Sequence, residues 1–285
     1  MRRPKADLDR ALHMSTEGIT ASAIARVLRA SVSTVSRWLE KAGHQAQAFS
    51  EEHGKVAEPV ELQLDELKSY GIGEAQDVWC FSGVEVWSRF WAALHVGKRT
   101  RRSTLVFVRL ARHACGSLSR PILVTTDEFK YYPPTVARVF SAGCAHVQVK
   151  NRYCGDRILR TSWKLALGPE ARHDAARARV EDGTRPNTSY SERLNLFERR
   201  SCCFLHRRTP GRARRVQSLS NWLEILRAYY NYIRPHASLS IQRPPRTPVM
   251  AAEIFDRRLS FRTIMSWVPH PMGKTPCGIR PNERP

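Results

Sequence analysis

A short apolar run in the middle of the chain, Pro121 to Thr126, strongly constrains the fold. It is too short for a helix, and it is apolar at consecutive positions, as in strands that are covered on both faces. The sequence therefore predicts a central strand here. Around it, residues 60 to 150 predict strand, strand, strand, helix, strand, helix and strand in turn. A meander followed by alternating helices and strands is typical of a mixed α/β sheet.

The remaining segments are predicted from the same periodicities. The residues between 151 and 186 are basic and lack a clear period, so we assign them no element. The assigned ranges are a strand hairpin at 77–86 and 87–96, a strand at 146–149, and helices at 104–114, 135–140, 189–204 and 218–233.

Two predicted strands each end in an aspartate. Asp65 follows Leu62 and Leu64, and Asp127 follows the apolar run at Pro121 to Thr126. Two such carboxylates, joined by a third, can bind divalent metal ions. The alternative is that each aspartate only caps a loop. Their acidic neighbours, Glu66 and Glu128, leave the choice of ligands open.

A third carboxylate stands at the start of a predicted helix. Glu192 lies one turn into that helix, on the same face as Asn195. Joined to the two aspartates, it can hold two Mg²⁺ ions about 4 Å apart, which stabilise the entering and leaving oxygens of phosphoryl transfer. The alternative is a capping box, in which Glu192 accepts a hydrogen bond from the backbone amide of Ser189 and needs no metal.

The charge of the chain indicates its partner. The 285 residues carry a formal net charge of +21, with a pI of about 10.4, which favours a polyanion, with nucleic acid preferred to membrane. A basic loop follows the predicted helix at 189–204, and we expect it to contact the DNA backbone; the alternative is a solvated surface. Its arginines are Arg207, Arg208, Arg212, Arg214 and Arg215.

The first 45 residues predict a small all-α domain. Helices from Ala21 to Arg29 and from Ser33 onward, joined by a short turn, fit a helix-turn-helix, although Arg29 stands where a glycine is usual. An ordinary helical hairpin is the alternative. The exposed face of the second helix is predicted to reach phosphates and base edges. Its residues are Ser33, Thr34, Ser36, Arg37 and Lys41.

The other segments set the domain limits and the compartment. We predict a linker at 46–58 and a disordered tail at 263–285. The seven cysteines form no Cys-x-x-Cys pair, which favours reduced thiols and a cytoplasmic protein. No apolar run approaches the length of a membrane span.

Five stretches together are distinctive. They resemble the bacterial transposases of the insertion-sequence-one family over about residues 58 to 256. The stretches are Leu62-Gln63-Leu64-Asp65-Glu66-Leu67, Thr125-Thr126-Asp127, Asn187-Thr188-Ser189-Tyr190-Ser191-Glu192-Arg193-Leu194-Asn195, Tyr229-Tyr230-Asn231-Tyr232-Ile233-Arg234-Pro235-His236 and Arg246-Thr247-Pro248-Val249-Met250-Ala251-Ala252.

The resemblance implies a ribonuclease-H-like mixed sheet flanked by helices, spanning 59–262 with a C-terminal helix. It implies an Asp-Asp-Glu triad at Asp65, Asp127 and Glu192, with two Mg²⁺ or Mn²⁺ ions. Asn195 and His236 would then lie near the metals, although His236 can equally cap the preceding helix. The chain departs from the family at Glu128, where a glycine is usual, and lacks an N-terminal cysteine cluster.

The resulting hypothesis is a bacterial, nucleoid-associated DNA transposase. It would bind the terminal inverted repeats of its element, cut them by hydrolysis and join them to target double-stranded DNA. A homo-oligomer is expected; the helix from Trp222 to Ile233 is a candidate interface, but core packing is the preferred use of its apolar stripe. The alternatives are an inactive DNA-binding regulator, which does not need three converging carboxylates, and a plain nuclease.

Overall fold

The computed structural model describes residues 5–155, 157–180, 186–206, 211–240 and 244–269. These residues form six strands and ten α-helices. The strands are β1 (Glu61–Lys68), β2 (Val78–Glu85), β3 (Trp91–Lys98), β4 (Ile122–Thr126), β5 (Cys144–Cys154) and β6 (Arg157–Leu167). The helices are α1 (Lys5–Thr16), α2 (Ala21–Val27), α3 (Val32–His53), α4 (Arg101–Ala114), α5 (Tyr132–Phe140), α6 (Glu170–Arg177), α7 (Ser189–Ser201), α8 (Val216–Ala228), α9 (Pro248–Ala251) and α10 (Phe261–Ser266).

The six strands form one mixed sheet in the order β3-β2-β1-β4-β5-β6. The pairs β1–β4 and β4–β5 are parallel, and β5–β6 is antiparallel. All five residues of β4 are buried, which confirms the predicted central strand. The mixed α/β class predicted from the sequence is therefore confirmed, with helices flanking the sheet.

The prediction was wrong between 151 and 186. The described residues there include all of β6 and all of α6, and β5 continues to Cys154 rather than ending at Val149. The error has a physical cause. Leu159 and Arg160 are both exposed, so the outer part of β6 shows no alternation between apolar and polar positions.

The described residues divide into two compact units. The helical unit comprises residues 5–54, 68–78 and the described part of 196–269, and the sheet unit comprises 55–67 and the described part of 79–195. These limits differ from the predicted domains at 1–45 and 59–262. The N-terminal helices cluster with residues after 196 because the apolar faces of α1 and α3 pack against α8.

The predicted linker at 46–58 was wrong as far as His53, because α3 is helical to that residue. Ala46 and Phe49 are buried and continue the apolar stripe of the helix beyond Leu39. Gly43 lies where α3 meets α8. A Cβ atom there would stand 2.5 Å from Cβ of Asn221, so this close approach requires glycine.

The turn between α2 and α3 has a backbone geometry that glycine adopts readily, at the position where Arg29 stands. Arg29 has a φ of 50°, in the left-handed region, and the amide of Ala30 donates to the carbonyl of Ala25 at 2.9 Å. This pattern ends α2 as a glycine would. The two helices and their turn are present, but α3 has 22 residues and belongs to a larger packed unit.

The C-terminal part of the described chain is more ordered than predicted. The tail was expected to be disordered from residue 263, whereas α10 continues to Ser266 and Ile264 and Trp267 are buried. Residues 270–285 lie outside the described residues. Among the helices of the described chain, none combines the length and the apolar character needed to cross a bilayer.

Candidate metal centre

Three carboxylates meet at the carboxyl ends of two neighbouring strands. Asp65 and Glu66 lie near the end of β1, and Asp127 directly follows β4. Because these strands are parallel and pair Leu64 with Thr126, their carboxyl ends reach the same edge of the sheet. Oxygen atoms of the three side chains lie within 4.8 Å of one another. The two predicted aspartates are thus brought together, with Glu66 as the third member of the cluster.

Asp65 is the centre of this cluster. Its Oδ1 accepts a hydrogen bond from the backbone amide of Glu66 at 2.8 Å, and its Oδ2 accepts one from Nδ2 of Asn195 at 2.8 Å. Burial raises the pKa of Asp65 to about 8, with smaller contributions from the negative charges of Glu66, Asp127 and Glu192. A carboxyl group in this setting retains its proton near neutral pH until a cation replaces it.

Asp127 is oriented by backbone and side-chain contacts. Its Oδ1 accepts from the amide of Phe129 at 2.9 Å, and its carbonyl oxygen accepts from Nε2 of Gln148 at 3.0 Å and from the hydroxyl of Thr126 at 2.8 Å. Burial raises its pKa, while the Phe129 amide and the charge of Arg99 lower it. The hydrogen bond from Phe129 therefore orients the carboxylate of Asp127, and the bonds from Gln148 and Thr126 fix its backbone.

Glu66 is bound by two groups that the sequence reading did not identify. Nε of Arg99 donates to its Oε1 at 2.8 Å, and the hydroxyl of Tyr132 donates to its Oε2 at 2.7 Å. Burial, and then the charge of Asp127, raise the pKa of Glu66 to about 7 despite these contacts. No local pattern in the sequence could indicate a partner 33 or 66 residues away.

The guanidinium of Arg99 is itself fixed between two aromatic rings. Its Cζ lies 4.6 Å from the ring centroid of Trp79 and 4.0 Å from that of Phe129. One of its terminal nitrogens also lies 4.0 Å from Oδ2 of Asp127. Arg99 is therefore the cation that faces two members of the acidic cluster.

Glu192 lies beside the cluster and is not one of its three members. Its Oε1 accepts from Nδ2 of Asn151 at 3.1 Å and from the hydroxyl of Thr188 at 2.8 Å. Asn195, three residues further along α7, makes the direct contact with Asp65. The prediction that Glu192 and Asn195 share a face fits these contacts, but the residue that touches the aspartate is Asn195.

The capping box proposed for this helix is not formed. The amide of Ser189 donates to Oδ1 of Asn187 at 3.0 Å. Oε1 of Gln63, on β1, accepts from the amides of Tyr190 at 2.9 Å and Ser191 at 3.1 Å. A single oxygen of Gln63 therefore accepts hydrogen bonds from two amides in the first turn of α7, where backbone amides lack partners within the helix.

Gln63 belongs to a polar ladder on β1. Its Nε2 donates to Oε1 of Glu61 at 3.1 Å, and that same oxygen accepts from the hydroxyl of Thr125 at 3.1 Å. Glu61, Gln63 and Asp65 alternate along the strand and share one face, which the first turn of α7 contacts. Alternation of polar residues with Leu62 and Leu64 on a buried strand was the signal in the sequence that could have revealed this ladder.

The other predicted site residues lie in the helical unit or outside the described chain. Ser33, Ser36, Arg37 and Lys41 are exposed on α3, as predicted. The hydroxyl of Thr34 instead lies 2.7 Å from that of Ser31, which caps the helix. Arg207 and Arg208 lie outside the described residues. Exposed side chains in the same loop are those of Arg212, Arg214 and Arg215.

His236 has local contacts within the helical unit. Its Nε2 lies 3.2 Å from the carbonyl oxygen of Tyr230, and the two rings meet edge to face. The backbone amide of His236 donates to the carbonyl of Arg246 at 2.9 Å. The alternative that His236 caps the preceding helix fits these contacts. The helix from Trp222 to Ile233 is buried in the same unit, so its apolar stripe is core rather than an exposed interface.

Comparison with known proteins adds no family to these observations. A scan of the chain against protein-family models finds no match, and a search of curated proteins finds no significant similarity.

Proposed function

We propose that the chain is a metal-dependent DNA transposase with a ribonuclease-H-like core. The observation that carries the proposal is the cluster of Asp65, Glu66 and Asp127 at the carboxyl ends of two parallel strands, in a chain with a net charge of +21. The mixed six-stranded sheet, with a helix-borne glutamate beside the aspartates, is compatible with such a core.

The donor set fits Mg²⁺ or Mn²⁺. Three carboxylates with oxygens within 4.8 Å of one another offer the hard ligands that these ions prefer. The pKa values of Asp65, Glu66 and Asp127 are raised, because burial makes their ionised forms unfavourable. A bound cation would stabilise the ionised carboxylates. When bound, two such ions stabilise charge on the entering and leaving oxygens of a phosphodiester.

The side chains around the cluster have distinct roles in this proposal. Asp65 and Asp127 would hold the ions. The side-chain amide of Asn195 would orient the carboxylate of Asp65, and the backbone amide of Phe129 would orient that of Asp127. Glu192 would complete the site from α7, with Asn151 holding its carboxylate. Ser33, Thr34, Ser36, Arg37 and Lys41 on α3, together with the basic loop that contains Arg207, Arg208, Arg212, Arg214 and Arg215, would bind the ends of the element.

One observation favours a second candidate, a DNA-binding protein that does not cut. Only two of the three predicted triad carboxylates are in the cluster, since Glu192 is engaged by Asn151 and Thr188. A regulator would keep the exposed basic side chains of α3 and have no use for a metal centre.

Metal-dependent nicking tests the two candidates. The substrate is plasmid DNA that carries the sequences flanking the gene, and the metal is Mg²⁺ or Mn²⁺. We expect nicking by the wild type and a loss of about 100-fold or more in Asp127→Asn, since metal catalysis supplies several kcal/mol. Asp174→Asn, which changes an exposed aspartate of α6, is the matched control.

The glutamates assign the remaining ligand. If Glu192 completes the site, Glu192→Gln should lose nicking as Asp127→Asn does, whereas Glu66→Gln should keep part of it. DNA binding by all variants with no nicking by the wild type in either metal would reject the transposase and support the regulator.

A further inference from the structure

Strands β5 and β6 continue as a two-stranded ribbon beyond the end of β4. Pairing between β4 and β5 ends at Thr126 and Gln148, whereas pairing between β5 and β6 continues to Cys154 and Arg157. We call residues 148–154 and 157–164 the ribbon. It starts at the sheet edge where Asp127 lies, and six residues of strand extend it by roughly 20 Å.

One face of the ribbon carries exposed cations. Gln148 donates to the carbonyl of Asp127, and Lys150 shares its face because side chains alternate along a strand. Lys164 is paired with Gln148 and Arg160 with Arg152 in the register of β6, so both lie on that face. We define the basic face as Lys150, Arg160 and Lys164, all exposed.

The inner end of the basic face is tied to the metal centre through Glu128. Nζ of Lys150 lies 2.7 Å from Oε2 of Glu128, and Nζ of Lys164 lies 3.6 Å from Oε1. Glu128 directly follows Asp127 in the chain, so the two lysines stand next to the acidic cluster. The face keeps an excess of positive charge, because its three cations outnumber this one carboxylate, which pairs with the two lysines.

The opposite face of the ribbon is already engaged. Thr161 donates to Oδ1 of Asn151, which in turn holds Glu192, and the ring of Trp163 stacks on that of His173 at 5.1 Å. These contacts attach the ribbon to α6 and α7. The basic face is therefore the side of the ribbon that is open to a partner near the metal centre.

We propose that the basic face of the ribbon binds the sugar-phosphate backbone of DNA beside the strand that is cut. This rests on the proposed function. Arg160 and Lys164 are four residues apart on β6, which spaces them by roughly 13 Å, about twice the step between successive phosphates of one DNA strand, and Lys150 lies on the neighbouring strand between them. A two-stranded ribbon also has the width that a major groove admits. The contact would be independent of sequence, since phosphates carry no base identity.

Salt-dependent binding to a DNA duplex of random sequence tests this surface. Anisotropy titrations in metal-free buffer compare the wild type with the triple variant Lys150→Ala, Arg160→Ala and Lys164→Ala. We expect at least about tenfold weaker binding at low salt. The slope of log K against log salt should decrease by up to about 2.7, because each lost phosphate contact contributes about 0.9.

A control variant has the same change of charge in the same unit. Lys55, Arg120 and Arg138 are exposed residues of the sheet unit; Lys55 and Arg120 precede the amino ends of β1 and β4, and Arg138 lies in the last turn of α5. Changing these three to alanine should alter binding much less. An equal loss in both triple variants, or no loss in the ribbon variant, would overturn the proposal.

Two further measurements distinguish a failure of the ribbon proposal from a failure of the proposed enzyme activity. The variant Lys150→Arg, Arg160→Lys and Lys164→Arg keeps the charges and should bind like the wild type; weak binding by it would contradict a backbone contact. Because the titration needs no metal, a wild type that never nicks DNA would reject the enzyme while leaving the ribbon result intact. Nicking that depends on Asp127, with normal binding by the ribbon variant, would reject the ribbon alone.

Discussion

Replacing Gln63 should detach the first turn of α7 from the sheet. Gln63→Met keeps the length of the side chain and removes both of its hydrogen-bonding groups. The amides of Tyr190 and Ser191 then lose their acceptor, and Glu61 loses a donor. The helix end that carries Glu192 would no longer be fixed against β1.

The size of the effect can be worked out from these contacts. Ser191 is buried and Tyr190 is half-buried, and an unpaired buried amide costs about 1–3 kcal/mol. We therefore expect a loss of roughly 2–4 kcal/mol in the free energy of unfolding. At about 2–4 °C per kcal/mol for a chain of this size class, the melting midpoint should fall by roughly 4–16 °C.

Three assays check this prediction. Thermal melting gives the overall loss, hydrogen exchange should show faster exchange of the amides at the start of α7, and calorimetric titration with Mn²⁺ should show weaker binding, because Asn195 would no longer hold Asp65. Gln76→Met, at an exposed glutamine, is the matched control. Unchanged exchange at Tyr190 and Ser191, or full Mn²⁺ affinity despite the loss of stability, would refute the reasoning.

A second substitution of Gln63 keeps the hydrogen-bond acceptors and changes the charge. Gln63→Glu retains acceptors for the two amides and adds a negative charge that a helix N-terminus favours by up to about 1 kcal/mol. It also places a second carboxylate against Glu61. We expect it to be more stable than Gln63→Met, because the two amides keep their acceptor, and less stable than the wild type, because the two carboxylates repel each other.

Three other predictions follow from single features of the structure. Asp65→Asn removes one of three crowded carboxylates, and Asn195 can rotate its amide to accept a hydrogen bond from the new side chain. We expect this variant to have a higher melting midpoint than the wild type in EDTA and no further rise when Mn²⁺ is added. A lower midpoint than the wild type in EDTA would contradict this. Gly43→Ala should lower the melting midpoint, because its methyl group would meet Asn221 at 2.5 Å, whereas Ser36→Ala on the exposed face of α3 should change it little. Burial lowers the pKa of His146 from 6.5 to about 4, so as the pH falls the unfolded chain takes up a proton on this residue before the folded chain does. The contribution of His146 to the free energy of unfolding is therefore present above pH 6.5 and is lost as the pH falls to about 4, by up to roughly 3 kcal/mol. His146→Gln should reduce the loss of stability that urea denaturation measures between these pH values.

The sequence predicted the elements that have a strong local period. The apolar run ending at Thr126 is the buried central strand, and the helices at 104–114 and 135–140 are present as α4 and α5 with earlier starts. Elements without such a period were missed. The outer part of β6 is exposed, and the second half of α3 is carried by alanines whose apolar stripe is weak.

The candidate site was predicted in part for a related reason. Asp65 and Asp127 end apolar strands, and the parallel pairing of β1 with β4 brings such residues together whatever the rest of the fold. Gln63 and Asn195 were visible only as polar residues at regular positions. Arg99 and Tyr132 had no signal at all, because their contacts with Glu66 join residues that are far apart in the chain.

What the sequence alone determined is therefore the elements with a strong local period, the two strand-end aspartates and the charge of the chain, since these depend on local order and composition. Only the tertiary structure decided that Glu66 completes the cluster, that Asn195 rather than Glu192 touches Asp65, and that Gln63 caps α7. The physical reason is distance. A hydrogen bond requires placement within a few tenths of an ångström, and the position of a helix against a strand is set by packing contacts between residues far apart in the chain.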